Sequence, residues 1–158
     1  MANTQAICDT FRVDLLNGTH AFGTQAANGV RTVTTKDVFK AALFLASATI
    51  NRSTTVYAAT GEVSGTNYTA GGVVVTNATV PANTGGTGIV AFWTPSASLV
   101  WTNVTLATAF DCMLLYNSSV TALNSVAAFT FGSQTVTAGN FTLTMPTNDL
   151  TNGLLRIS

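Results

Sequence analysis

Along this chain the hydrophobic positions recur mainly at every second residue, the spacing of a strand that turns one face inward. Val100, Thr102, Val104 and Leu106 alternate with Trp101, Asn103 and Thr105, which predicts a half-buried strand. Phe110 to Tyr116 is apolar everywhere except Asp111 and predicts a second strand, covered on both faces. Val38 to Leu45 reads the same way, between Lys36-Asp37 and Ser47-Ala48-Thr49. Further strands are predicted at Val73 to Val80, at Ile89 to Trp93 ahead of Pro95, at Val126 to Phe131, at Phe141-Leu143-Met145 and at Gly153 to Ile157.

Elsewhere the pattern breaks down. Ile7, Phe11, Leu15 and Leu16 stand near helical spacing before Asn17-Gly18, which predicts a short N-terminal helix or irregular arm. Phe22 to Thr35 reads as loop, and Asn51 to Gly72 reads as a long surface excursion with turn signals at Thr60-Gly61, Ser64-Gly65-Thr66 and Ala70-Gly71-Gly72. Pro81 to Gly88 and the stretch from Asn117-Ser118-Ser119 to Val126 are also loops. About eight short strands with turns between them and no long helical pattern predict an all-β fold. The expected architecture is an antiparallel β-sandwich, jelly-roll-like, with an N-terminal arm or loop region over residues 1–36 and the sandwich over 37–158 in a single domain. Its predicted core holds Leu43, Leu45, Val73, Val75, Phe92, Val104, Phe110, Cys112, Leu114, Phe129 and Leu143.

Composition sharpens this picture. Only 8% of the 158 residues are charged, about a third of the usual ~25%. Thr, Ser, Asn and Gly fill the polar positions, and the branched Cβ of Thr favours strands. Arg12, Arg31, Lys36, Lys40, Arg52 and Arg156 balance Asp9, Asp14, Asp37, Glu62, Asp111 and Asp149, and neither sign is concentrated. Phosphate neutralisation needs massed Lys and Arg, so no nucleic-acid partner is expected. Without net charge to keep monomers apart, the surface suits burial against other copies or a partner, and a homo-oligomer or a many-copy lattice is expected. No secretory signal is visible at the N-terminus and no apolar run nears the ~18 residues of a membrane span. The expectation is a protein made and used in a cytoplasm or released by lysis, without a membrane partner.

Candidate chemistry is sparse. Asp111, inside the most apolar strand, needs a partner if ionised, and Arg156 is one candidate. His20 sits among small residues with no G-x-S-x-G elbow in the chain, so it reads as a solvent-facing or hydrogen-bonding loop histidine rather than a triad base. Gly85-Gly86-Thr87-Gly88 lacks the Lys-Ser/Thr end of a phosphate loop and reads as a turn. Cys8 and Cys112 allow a disulfide, but a reducing compartment favours two buried thiols, and with His20 alone they make a poor metal set. The N-x-S/T triplets at Asn17, Asn51, Asn67, Asn77, Asn103, Asn117 and Asn140 are expected by chance in so Asn- and Thr-rich a chain. Trp93, Trp101, Tyr57, Tyr68 and Tyr116 are candidates for a sugar platform, as in lectin-like sandwiches, but such residues are more often core and interface anchors. No catalytic, cofactor-binding or metal-binding residue is assigned, and no enzyme is expected.

Four segments carry a resemblance. They are Gly61-Glu62-Val63-Ser64-Gly65-Thr66-Asn67-Tyr68-Thr69-Ala70-Gly71-Gly72, Asp111-Cys112-Met113-Leu114-Leu115-Tyr116-Asn117-Ser118, Phe129-Thr130-Phe131-Gly132-Ser133 and Gly153-Leu154-Leu155-Arg156-Ile157. Together, over Val38 to Ser158, they resemble a widespread family of small virion-associated structural proteins of tailed bacteriophages. The resemblance implies a virion location after assembly in the host cytoplasm. It also implies a role as capsid cement or decoration protein on the major capsid protein, or alternatively as a tail or fibre component with a receptor- or glycan-binding role. Composition leans towards cement, because the chain has no coiled-coil or collagen-like shaft to extend it as a fibre.

Overall fold

A computed structural model describes residues 2–24, 35–83 and 90–158. In chain order these form β1 (Ala6–Ile7), α1 (Asp9–Asn17), β2 (Phe39–Leu45), β3 (Val73–Val74), β4 (Ala82–Asn83), β5 (Ala91–Trp93), β6 (Leu99–Asn117), β7 (Ser125–Leu143) and β8 (Leu155–Ile157). The strands make a five-stranded sheet in the order β1-β7-β6-β2-β3 and a three-stranded sheet in the order β4-β5-β8. Every ladder is antiparallel. The fold is therefore all-β and sandwich-like, as the alternation predicts. The described ladders do not by themselves establish a jelly-roll.

The largest departure concerns β6 and β7. The sequence predicts two strands in each region, yet each is one strand of 19 residues. The small and polar residues between the predicted pairs make bulges rather than turns. The pairing runs Val104↔Gly139, Leu106↔Val136, Phe110↔Gln134 and Cys112↔Thr130, so Ala107 to Ala109 on β6 stand opposite Thr135 alone, and Phe131 to Ser133 on β7 stand opposite Asp111 alone. Asn103 at φ 51° and Ala138 at φ 45° take left-handed conformations at two of the other three irregularities.

These bulges bend the ribbon. A straight strand of 19 residues would span about 60 Å. Asn117 pairs with Phe39, whose ring lies 6.1 Å from that of Trp93, and the chain from Trp93 to Leu99 reaches at most about 20 Å. Allowing for the side chains, the two ends of β6 lie within about 40 Å of each other. β6 is therefore bent rather than straight, at the bulges that interrupt its pairing with β7. The Ala46 N–H, which donates to Ala109 O at 3.0 Å, ties the bend to the chain leaving β2.

One core runs from Cys8 to Leu155. Leu43, Val75, Phe92, Val104, Phe110, Cys112 and Leu114 are buried as predicted, while Leu45, Val73, Phe129 and Leu143 are half-buried against the core. The N-terminal segment belongs to this core. β1 pairs with Ala127 and Ala128, and α1 buries Phe11. Asp9 suits the helix dipole at the first turn, and Gly18 at φ 67° closes the C-terminus as Asn17-Gly18 predicts. Leu16, predicted on the inner face, is 91% exposed. Val73 to Val80 keeps only two residues in a ladder, and Ala82–Asn83, predicted as loop, pairs with β5. Residues 25–34 of the predicted Phe22 to Thr35 loop and the Gly85-Gly86-Thr87-Gly88 turn lie outside the described residues.

Candidate functional site

Two buried polar clusters and one uncharged surface stand out. The first cluster is centred on His20, which is buried rather than solvent-facing. Its Nδ1 accepts from Asn117 Nδ2 at 3.0 Å, and the same amide donates to Asp37 Oδ2 at 2.7 Å. Asn117 stands at the last position of β6, Asp37 precedes β2, and Asp37 Oδ2 also accepts from the Ala21 N–H. The bond from Asn117 leaves the proton on Nε2, which stands 3.4 Å from Asp14 Oδ2, an ion-pair distance too long for a good hydrogen bond. Asp14 is held in turn by Asn124 Nδ2 at 2.8 Å. Burial pushes the imidazole pKa down and the Asp14 carboxylate partly opposes this, so the ring is neutral. Phe11, Phe22 and Phe39 surround it, with Trp93 against Phe22 at 4.9 Å.

This cluster borders an apolar cavity of about 540 Å³ lined by Phe11, Leu15, Phe22, Phe92 and Trp93. An acid next to an imidazole is half of a hydrolytic dyad. Here the other ring nitrogen is taken by Asn117, and no hydroxyl or thiol lies within hydrogen-bond reach of either nitrogen among the described residues. The arrangement locks α1, the His20 loop and the ends of β2 and β6 together. Among the described residues it has no nucleophile to activate.

The second cluster gathers two tyrosines on Glu62, with a third beside them. Tyr57 donates to Oε2 at 2.6 Å, while Tyr68 and the Gly71 N–H donate to Oε1 at 2.7 and 2.8 Å. Tyr68 Oη also accepts from the Leu43 N–H, and Tyr116 donates to Gly71 O at 2.8 Å while stacking on Tyr57 at 4.5 Å. Burial and the nearby carboxylate push the Tyr116 phenol up to about 12, and raise Tyr57 and Tyr68 further. The predicted surface excursion from Asn51 to Gly72 is therefore pinned to the sheet, with bridges at Phe44↔Glu62, Val56↔Asn124 and Thr66↔Thr105. Its aromatics point inward, and Trp93 and Trp101 are each only 3% exposed. None of the five rings is laid out as an open sugar platform.

The remaining candidates disperse. Asp111 is bonded by Asn3 Nδ2 at 2.6 Å rather than by Arg156, whose Nη1 donates to Thr151 O. Cys8 and Cys112 are buried and unpaired, with burial pushing both thiols up to about 12. Several triplet asparagines have structural work. Asn77 links Phe22 O to the Trp93 indole, Asn117 holds His20, and Asn140 accepts from the Asn103 N–H at a bulge. Among the described residues no three metal-binding side chains converge, and no helix is long and apolar enough to cross a membrane.

What composition leaves unsaid is where the charges fall. No Asp, Glu, Lys or Arg occurs between Glu62 and Asp111, nor between Asp111 and Asp149. Apart from Asp111, the whole β6–β7 ribbon is uncharged, and the stretch of β7 from Gly132 to Leu143 is mostly exposed. The ionic groups gather instead around α1, β2 and the Arg52 turn, where Arg52 and Asp9 form an exposed bidentate pair. Compared with known proteins, the chain matches no family model, no curated protein and no solved structure.

Proposed function

We propose that this chain is a structural component of a tailed-phage virion, a cement or decoration protein that binds the major capsid protein lattice and stabilises the head. The observation that carries the reading is the uncharged, Thr-rich, exposed half of the β6–β7 ribbon. Such a surface has no electrostatic means of selecting a charged ligand and suits neutral, repeated contact with neighbouring subunits. Each such contact is weak alone and strong in an array. The resemblance over Val38 to Ser158 supports the same reading. The alternative, a tail or fibre component that binds a receptor glycan, would use the excursion's aromatics Tyr57 and Tyr68, whose hydroxyls are both tied to Glu62 in part-buried bonds.

Copy number tests the proposal. Quantitative mass spectrometry of purified virions should find the chain at a level comparable with the major capsid protein, and heads lacking it should burst at lower temperature. A handful of copies per particle, with adsorption lost and heads intact on deletion, would favour the tail reading instead.

A further inference from the structure

β7 is bonded to β6 along its inner side, but its outer side is paired only at Ala127 and Ala128, by β1. From Gly132 to Leu143 no other strand lies against it among the described residues, and Ser133, Gln134, Thr135, Thr137, Asn140 and Thr142 are exposed. An edge of this length presents a row of unbonded N–H and C=O groups. Proteins usually blunt such edges with Lys, Pro or inward charges, and this one has no charged residue before Asp149 and no proline before Pro146. Of the other outer edges, β1, β3, β4 and β8 are two or three residues long, and the side of β6 from Leu99 to Leu106 that faces away from β7 is engaged by the excursion, through the Thr66↔Thr105 bridge and the Asn67 amide on Asn103 O.

We infer that the outer edge of β7 between Gly132 and Leu143 is the surface on which this chain pairs, antiparallel, with a second copy of itself. The occupant follows from what the edge offers. Strand addition by a foreign peptide draws its specificity from pockets for alternate side chains. Neither the cavity at His20 nor the groove of about 490 Å³ beside β1 is lined by any residue of Gly132–Leu143. A two-fold pairing needs no pocket, because it sets the same neutral Thr-rich row against itself, where Thr–Thr cross-strand pairs are favourable and no like charges meet. The bulges near Gly132 and at Ala138 divide the edge and leave Gln134 to Thr137 and Gly139 to Leu143 as the regular runs. The contact is short, so the dimer is weak and reversible. This inference concerns the isolated chain and stands apart from the virion reading.

Sedimentation velocity over a concentration series tests it with three proteins: the wild type, the double substitution Thr135→Lys/Thr142→Lys, and Thr121→Lys in the exposed β6–β7 loop. All three replaced side chains are exposed, and circular dichroism and melting verify that each protein folds. The wild type and T121K should show the same concentration-dependent dimer, and the double variant should associate at least about tenfold more weakly. A wild type that stays monomeric throughout, including one whose edge awaits a strand from another protein, overturns the inference. So does equal weakening by T121K and by the edge pair. Capsid binding measured on the same proteins reports separately on the proposed function.

Discussion

At the residue scale, backbone geometry decides more than side-chain chemistry. Gly72 is at φ 72°, and a Cβ there would lie 1.8 Å from Ala41 O. β2 and the end of the excursion approach so closely that only a hydrogen fits. Gly72→Ala is therefore expected to cost more than about 3 kcal/mol, combining a left-handed strain with a backbone clash that no rotamer relieves. Thermal or urea denaturation would read it, and a variant melting within a degree or two of the wild type would show that β2 and the excursion can part without cost. Gly71-Gly72 is legible in the sequence as a turn, but not as the point where the chain returns onto a buried strand. The same limit applies to Glu62, Tyr57 and Tyr68. Each is an ordinary surface residue by type, and only the fold brings three phenol and amide donors to one carboxylate. His20 is hydrogen-bonding rather than solvent-facing, the second of the two sequence readings, but its partner Asn117 is far away in sequence and could not be named from it.

At the element scale, alternation marks where strands lie but not where they end. Val100 to Leu106 and Phe110 to Tyr116 are both strand, but the alternation changes face within the first, where Trp101 is buried and Val100 exposed because the register shifts between Trp101 and Val104. What the pattern cannot show is that Ala107 to Ala109 continue the ladder, because a bulge and a turn both interrupt alternation. Very short strands such as Ala6–Ile7 and Ala82–Asn83 have too few residues to show any period. The bend gives the ribbon two unequal halves. Residues 110–117 of β6 are flanked by β2 and β7, whereas the Leu99 to Leu106 half has β7 on one side and a single bridge at Thr66↔Thr105 on the other. Amide exchange in dilute solution should therefore be slowest in Phe39–Leu45 and in residues 110–117, and markedly faster in residues 134–143 of β7. Equal protection along the whole of β7 in a dilute monomer would mean that its outer edge is covered by the chain itself.

At the scale of the whole molecule, the few ionisable groups set a pH window whose two sides can be worked out separately. His20 is held neutral by burial, with its pKa below the ordinary 6.5. As pH falls through about 6.5 the unfolded chain takes up a proton that the folded chain refuses, so stability declines on the acid side. Protonation at Nδ1 also removes the acceptor of the Asn117 bond. On the alkaline side, burial raises Cys8 and Cys112 from 9.0 and Tyr116 from 10.0 to about 12 each. Above about pH 9 the unfolded chain releases protons that the folded chain retains, and stability falls again. The melting temperature should consequently hold a plateau between about pH 6.5 and 9 and drop on either side. His20→Gln should lose this particular acid-side slope between pH 6.5 and 5, whatever its effect on the plateau, because His20 is the chain's one histidine. A melting temperature that rises on acidification from pH 7 to 5.5, or an H20Q profile parallel to the wild type's across that interval, would contradict the buried neutral imidazole.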